Sequence, residues 1–177
     1  AVNLSAIQFK QRNLIAEVER ALDDTGLDAA WLEFELTESM LMDETPELVR
    51  TMDGLRALGV KLAIDDFGTG HSSLAHLKRF PIDKLKIDRT FVRDIATDPD
   101  DRAITAAIVD LARAMGITSI AEGVEAEAQL DFLLQRGCDE MQGFLVSRPL
   151  APADCAAWMA AHRDAPPRWG TAAPRSA

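Results

Sequence analysis

Three times this chain repeats one local pattern: a helical run closes on a glycine and an apolar run opens at once. It does so at Leu58-Gly59-Val60, Met115-Gly116-Ile117 and Arg136-Gly137-Cys138. Glycine takes the left-handed conformation that ends a helix, so each triplet hands a helix directly to a strand. Strands that alternate with helices pair in parallel. The sequence therefore predicts an α/β chain built on a parallel sheet.

Five strand-like runs carry that sheet: "WLEFELTES", "VKLAIDDF", "DKLKID", "ITSIAEGV" and "CDEMQGFLVS", with a stub of a sixth at "AVNLS". The helical runs between them have readable ends. "NLSAIQFKQRNLIAEVERALDDTG" opens with a Ser5/Gln8 capping box and continues with Leu14, Val18 and Leu22 at helical spacing. Thr45-Pro46 starts a helix that stops at Gly59, and Asp98-Pro99 starts one with Ile104, Ile108, Leu111 and Met115 on one face. "EAEAQLDFLLQRG" is the next helix, and a last one spans about Ala153 to Ala161. Residues 1–162 read as one domain, and 163–177, rich in proline and poor in apolar residues, as a flexible tail.

Strand parity then places the polar residues. Leu62 and Ile64 share one face while Ala63 and Asp65 share the other, and Lys86 opposes Leu85 and Ile87. Glu33 and Glu35 oppose Leu32, Phe34 and Leu36. Helices must cover the apolar face, so the charged face looks inward, and its acids gather at the C-terminal strand ends. Glu122, Gln142 and Asn3 also fall where a strand gives way to a loop.

Four carboxylates at one mouth (Glu35, Asp65, Asp66 and Glu122) cannot all stay ionised without compensation. One or two hard divalent cations held by carboxylate and amide oxygens supply it. The C-terminal strand ends are also the active face of a β/α barrel. Single features read alone leave other uses open. Asp65-Asp66 serves equally as a loop cap, Glu38 as a helix-start acid, and Glu125 first of all as a helix-start acid. "DFG" at Asp66–Gly68 is matched by no other kinase motif. His71, His76 and His162 lack ligand spacing and read as solvated or packing residues.

The formal net charge of −10 excludes non-specific grip on DNA or an anionic membrane, both of which need a basic surface. Cys138 and Cys155 have neither zinc spacing nor the numbers for a disulfide framework, and read as idle thiols of a reducing cytoplasm. No apolar run reaches eighteen residues. The expected location is cytoplasmic, including the cytoplasmic part of a membrane-anchored parent.

Taken together, "NLSAIQF", "FELTES", "IDDFGTGHSSL", "DKLKIDRTFV", "IAEGVE" and "CDEMQGFLVSRPL" resemble the EAL-domain family of cyclic-di-GMP phosphodiesterases, in order, from Val2 to about Leu150. The resemblance implies a TIM-like (β/α) barrel in bacterial signalling, hydrolysing cyclic di-GMP to linear pGpG with Mg²⁺ or Mn²⁺. It assigns Asn3, Glu35, Asp65 and Asp66 as metal ligands and Glu122 as a ligand or general base. Lys86 becomes the residue that holds the attacking water or stabilises charge, and Gln142 a neighbour of the metal site. Glu38 and the loop with Gly68, Thr69 and Gly70 form an element that couples the site to dimerisation, and Glu125 is the second glutamate of "EGVE". Partners implied are cyclic di-GMP, a second copy of the chain, and sensory or GGDEF-type domains in a longer parent.

Two departures stand out. His71 occupies a position where the family usually has Tyr, and the family's first two strands, with the Glu-Ala-Leu triplet and the arginine after it, are not in the sequence. About six of eight strands are thus expected, with a barrel incomplete in this chain and weak or no activity for the chain alone. The alternative reading is a receptor or interaction domain that binds the nucleotide without cleaving it.

Overall fold

The computed structural model describes residues 1–41, 45–70 and 77–163. Among these, six strands form one sheet in sequential order: β1 (Val2–Asn3), β2 (Glu33–Thr37), β3 (Lys61–Phe67), β4 (Lys84–Ile87), β5 (Thr118–Glu122) and β6 (Glu140–Gln142). Every neighbouring pair is parallel. The helices are α1 (Ala6–Phe9), α2 (Leu14–Thr25), α3 (Pro46–Ala57), α4 (Arg89–Arg93), α5 (Pro99–Met115), α6 (Glu127–Arg136) and α7 (Pro152–His162). His71, His76 and residues 164–177 of the expected tail lie outside the described residues.

The glycine punctuation takes the expected form, with Gly59, Gly116 and Gly137 all at positive φ. Thr45 and Asp98 cap α3 and α5 through their side chains, each followed by proline in the first turn. At the base of the sheet, an aspartate ahead of one strand pins the start of its neighbour. Asp83 accepts from the Leu62 N–H at 3.0 Å, and Asp139 from the Ser119 N–H at 2.8 Å.

The core lies between the outer face of the sheet and the helices. Leu36, Leu62, Ile64, Leu85 and Ile87 are fully buried there, against Met52 and Leu55 of α3, Val109 and Ala112 of α5 and Leu133 of α6. Removing these side chains from water is the main term holding the layers together, at about 1.5–3 kcal/mol for each large one.

Three local differences from the sequence reading have physical reasons. The first helical run is two helices, because Phe9 and Leu14 are both buried and five residues apart, a spacing that one straight helix cannot turn to the same face. The buried stripe of α5 is Thr105, Ile108, Val109 and Ala112, whereas Ile104 is exposed, so the face is rotated toward α4, where the Thr105 hydroxyl donates to the Phe91 carbonyl. The "CDEMQGFLVS" run is strand only over Glu140–Gln142.

The sheet does not close. Among the described residues β1 pairs with β2 alone and β6 with β5 alone. Val2 on β1 and Phe144 just after β6 are each 48% exposed, and α7 buries no residue. Six parallel strands with helices outside form a half-barrel whose C-terminal strand ends share one rim.

Candidate metal centre

Lys86 occupies the centre of that rim. Its side chain points inward from β4 and is 4% exposed. The ammonium lies 2.8 Å from Glu35 of β2, 2.9 Å from Asp65 of β3 and 2.7 Å from Glu122 of β5. Three acids from three βα units thus meet on one cation. Burial opposes the Lys86 charge, but its bonds to Glu122, Glu35 and Asp65 outweigh it and hold the ammonium well above the usual lysine range. Glu122 moves upward, chiefly by burial; Lys86 pulls it down, and the charges of Asp65 and Glu35 push it up again.

The neighbouring pair Asp65-Asp66 raises a geometric problem, since successive residues of a strand face opposite ways. The chain solves it with an irregularity: the β3–β4 register shifts between Ile64 and Phe67, and Asp66 takes φ +54. A bulge with a left-handed residue re-aims one side chain, and aspartate tolerates that conformation better than most. Carboxylate oxygens of Asp65, Asp66 and Glu122 consequently lie within 4.8 Å of one another.

Asp88 sits next to this group and was not singled out in the sequence. It caps α4, accepting from the Thr90 N–H at 2.8 Å and from the Thr90 hydroxyl, and it is buried. Burial opposes its charge, but the Thr90 bonds prevail and lower its pKa. Asp66 shifts the other way, raised by partial burial, then by its hydrogen bond with Asp88 and the charge of Asp65. The signal was available: Asp88 has the inward parity of Lys86, and Asp-x-Thr after a strand is a helix-capping pattern.

Glu38 governs the loop beyond β3. It is 3% exposed, and one carboxylate oxygen accepts from the Gly68 N–H at 2.9 Å and the Gly70 N–H at 3.2 Å. A side chain at Gly70 would bring a Cβ within 2.7 Å of that carboxylate, and one at Gly68 within 2.9 Å of the Phe91 ring. Thr69 bonds back to the Asp66 carbonyl through its hydroxyl at 2.9 Å.

The remaining residues are less enclosed. Asn3 pairs in register with Glu35, and Gln142 with Glu122, but both lie exposed on the two edge strands. Glu125 is exposed in the loop after β5. His162 stacks on Trp158 and bonds its carbonyl, a packing role.

The donors fit a hard divalent cation. Glu35, Asp65, Asp66 and Glu122 set four carboxylates against one ammonium, all oxygen donors of the kind Mg²⁺ and Mn²⁺ prefer. Such an acid-ringed half-barrel defines an α/β protein of the TIM-like barrel class, incomplete in this chain. The family model described as EAL domain matches residues 1–149, and the chain belongs to the EAL-domain family.

The bifunctional diguanylate cyclase/cyclic di-GMP phosphodiesterase MucR of Pseudomonas aeruginosa is 48% identical over 150 residues, 85% of this chain and 22% of MucR. The solved MucR phosphodiesterase in complex with c-di-GMP superposes with a TM-score of 0.83 at 46% identity, covering 86% of this chain and 62% of that one. Klebsiella pneumoniae BlrP1 in its manganese/cy-diGMP complex superposes at 0.76 with 36% identity, over 83% of this chain and 38% of that one. The chain spans 18–22% of the length of four curated relatives, MucR among them. Among the described residues no helix is long and apolar enough to cross a membrane.

Proposed function

We propose that this chain carries the metal-binding rim of a cyclic-di-GMP phosphodiesterase, and that the domain converts the cyclic dinucleotide to linear pGpG. The observation that supports it most is the convergence of Glu35, Asp65 and Glu122 on the Lys86 ammonium, with Asp66 turned into the same mouth. Names of relatives in the same family point the same way.

In this reading Asn3, Glu35, Asp65, Asp66 and Glu122 hold one or two Mg²⁺ or Mn²⁺ ions. Held by these residues, such a cation would lower the pKa of a coordinated water and offset charge on the phosphate. In the hydrolysis a water oxygen would form the new P–O bond as the P–O3′ bond breaks, and the proton released by the water would end on the departing O3′. Glu122 would also serve as the base that takes the proton of the attacking water. Lys86, fixed by three carboxylates, provides positive charge where negative charge develops. Glu38 holds Gly68, Thr69 and Gly70 over the rim, while Gln142 and Glu125 support the Glu122 side. The functional assembly is a homodimer in a cytoplasmic, multidomain parent, with the Gly68 loop resting on Phe91 and Ile108 as its link to α5.

The test uses the chain extended at its N-terminus by the two βα units that carry the Glu-Ala-Leu triplet. With Mn²⁺ or Mg²⁺ it should yield pGpG, chelation should stop the reaction, and Asp65→Ala should abolish it. Binding of cyclic di-GMP in chelator, with no product in either metal, would instead establish a receptor.

A further inference from the structure

Gln129 lies outside the acid rim, yet its buried amide ties the loop that follows Glu122 to the helix that follows Lys86 and Asp88. It is 6% exposed in the first turn of α6. Its carbonyl oxygen accepts from the Glu125 N–H at 2.7 Å and the Ala126 N–H at 2.9 Å, which fastens the loop running on from Glu122. Its amino group donates across to the Arg93 carbonyl at 2.9 Å, in the last turn of α4. The first turn of α4 is capped by Asp88, the partner of Asp66. One side chain therefore bolts the loop of Glu122 to the helix of Asp88.

The loop has no slack elsewhere. Gly123 runs so close to α4 that a Cβ there would come within 2.8 Å of the Arg89 Cβ. On the other side Val124 exchanges backbone bonds with Gln142 and Leu145, and a Cβ at Gly143 would collide with the Val124 backbone. Gln129 supplies the side-chain hydrogen bonds in this clamp, and it uses both ends of its amide to do so.

We infer that Gln129 is a positioning residue for the metal centre, holding Glu122 against Lys86 and Asp65 by locking the β5–α6 loop to α4. The inference rests on the metal-site reading above. A purely local role, capping α6, is the competing account, and the two separate cleanly. Glu accepts hydrogen bonds from the Glu125 and Ala126 N–H groups as well as Gln does and is a standard capping-box residue. Ionised, it has no donor for the Arg93 carbonyl.

The experiment compares the 177-residue chain with Gln129→Glu by Mn²⁺ titration and thermal melting, and repeats both melts in the Glu122→Gln background without metal. Positioning predicts a melting temperature lowered only by what the lost Arg93 bond accounts for, about 2–10 °C, for Gln129→Glu. It also predicts Mn²⁺ affinity lower by about tenfold or more, the usual cost of losing an outer support of a metal site. Without metal, the melting loss caused by Glu122→Gln should shrink by about half once Gln129 is replaced, because the two positions are coupled. Parent-like Mn²⁺ affinity together with an unchanged Glu122→Gln loss would overturn the inference. If the parent itself bound no Mn²⁺, the metal-site reading would fall, and the metal-free comparison would still decide whether Gln129 positions Glu122.

Discussion

Lys86 is a buried cation whose partners are all acids, and this makes its removal costly in one specific way. Lys86→Met fits the space but leaves Glu35, Asp65 and Glu122 facing one another without a counter-charge. Breaking a buried ion pair by removing one partner typically costs about 3–5 kcal/mol. Urea unfolding of the metal-free chain should show a loss of that size, and added Mn²⁺ should recover part of it by replacing the missing positive charge. Cys138 makes the opposite point about a buried group that stays neutral. Burial pushes its thiol up to about 11 from an ordinary 9.0, opposed only in part by hydrogen bonding with the Ser119 side chain and the Glu140 backbone. The sign is that of a thiolate penalised by the fold, so at pH 8 its thiolate fraction falls about a hundredfold below that of an unfolded cysteine. A disulfide reagent at pH 8 should titrate Cys155 rapidly, one thiol per folded chain, and both thiols in guanidinium.

At the scale of elements, Glu38 ties down the backbone at Gly68 and Gly70, just beyond β3. The Gly68 and Gly70 N–H groups both end on that carboxylate, which comes from the 3₁₀ turn Glu38–Leu41 after β2. Glu38→Ala should speed amide exchange at Gly68 and Gly70 by about tenfold or more, as expected when local opening is no longer opposed. Glu38→Gln, which keeps an acceptor oxygen, should fall between Ala and the parent. Unchanged exchange in Glu38→Ala would mean that other contacts hold the loop. The start and stop signals of α3 and α5 were legible in the sequence because a cap, a proline and a glycine each act within four residues. The face of α5 was not, since which stripe is buried depends on α4, whose Phe91 carbonyl receives the Thr105 hydroxyl.

At the scale of the whole molecule the dominant feature is the open sheet. Two- and three-residue edge strands and the exposed side chains of Val2 and Phe144 mark both sides of the opening. Extending the chain by two βα units should bury this surface at about 25 cal/mol per Å² of apolar area. A gain of a few kcal/mol corresponds to a melting temperature raised by about 5–10 °C. Scanning calorimetry of the two forms checks this, and equal melting temperatures would show that the added units do not seat on β1 and β6.

The parallel α/β architecture and the inward parity of Glu35, Asp65 and Lys86 follow from the sequence alone. They depend on periodicity and chain punctuation, which operate over a few neighbouring residues. Three things were decided only in the tertiary structure: the bulge by which Asp66 reaches the mouth expected for it, Asp88 hydrogen-bonding Asp66 beside the site, and the Lys86 ammonium lying among three carboxylates. Each depends on distances between separate βα units, and such distances are set by how the sheet twists and how the helices pack on it.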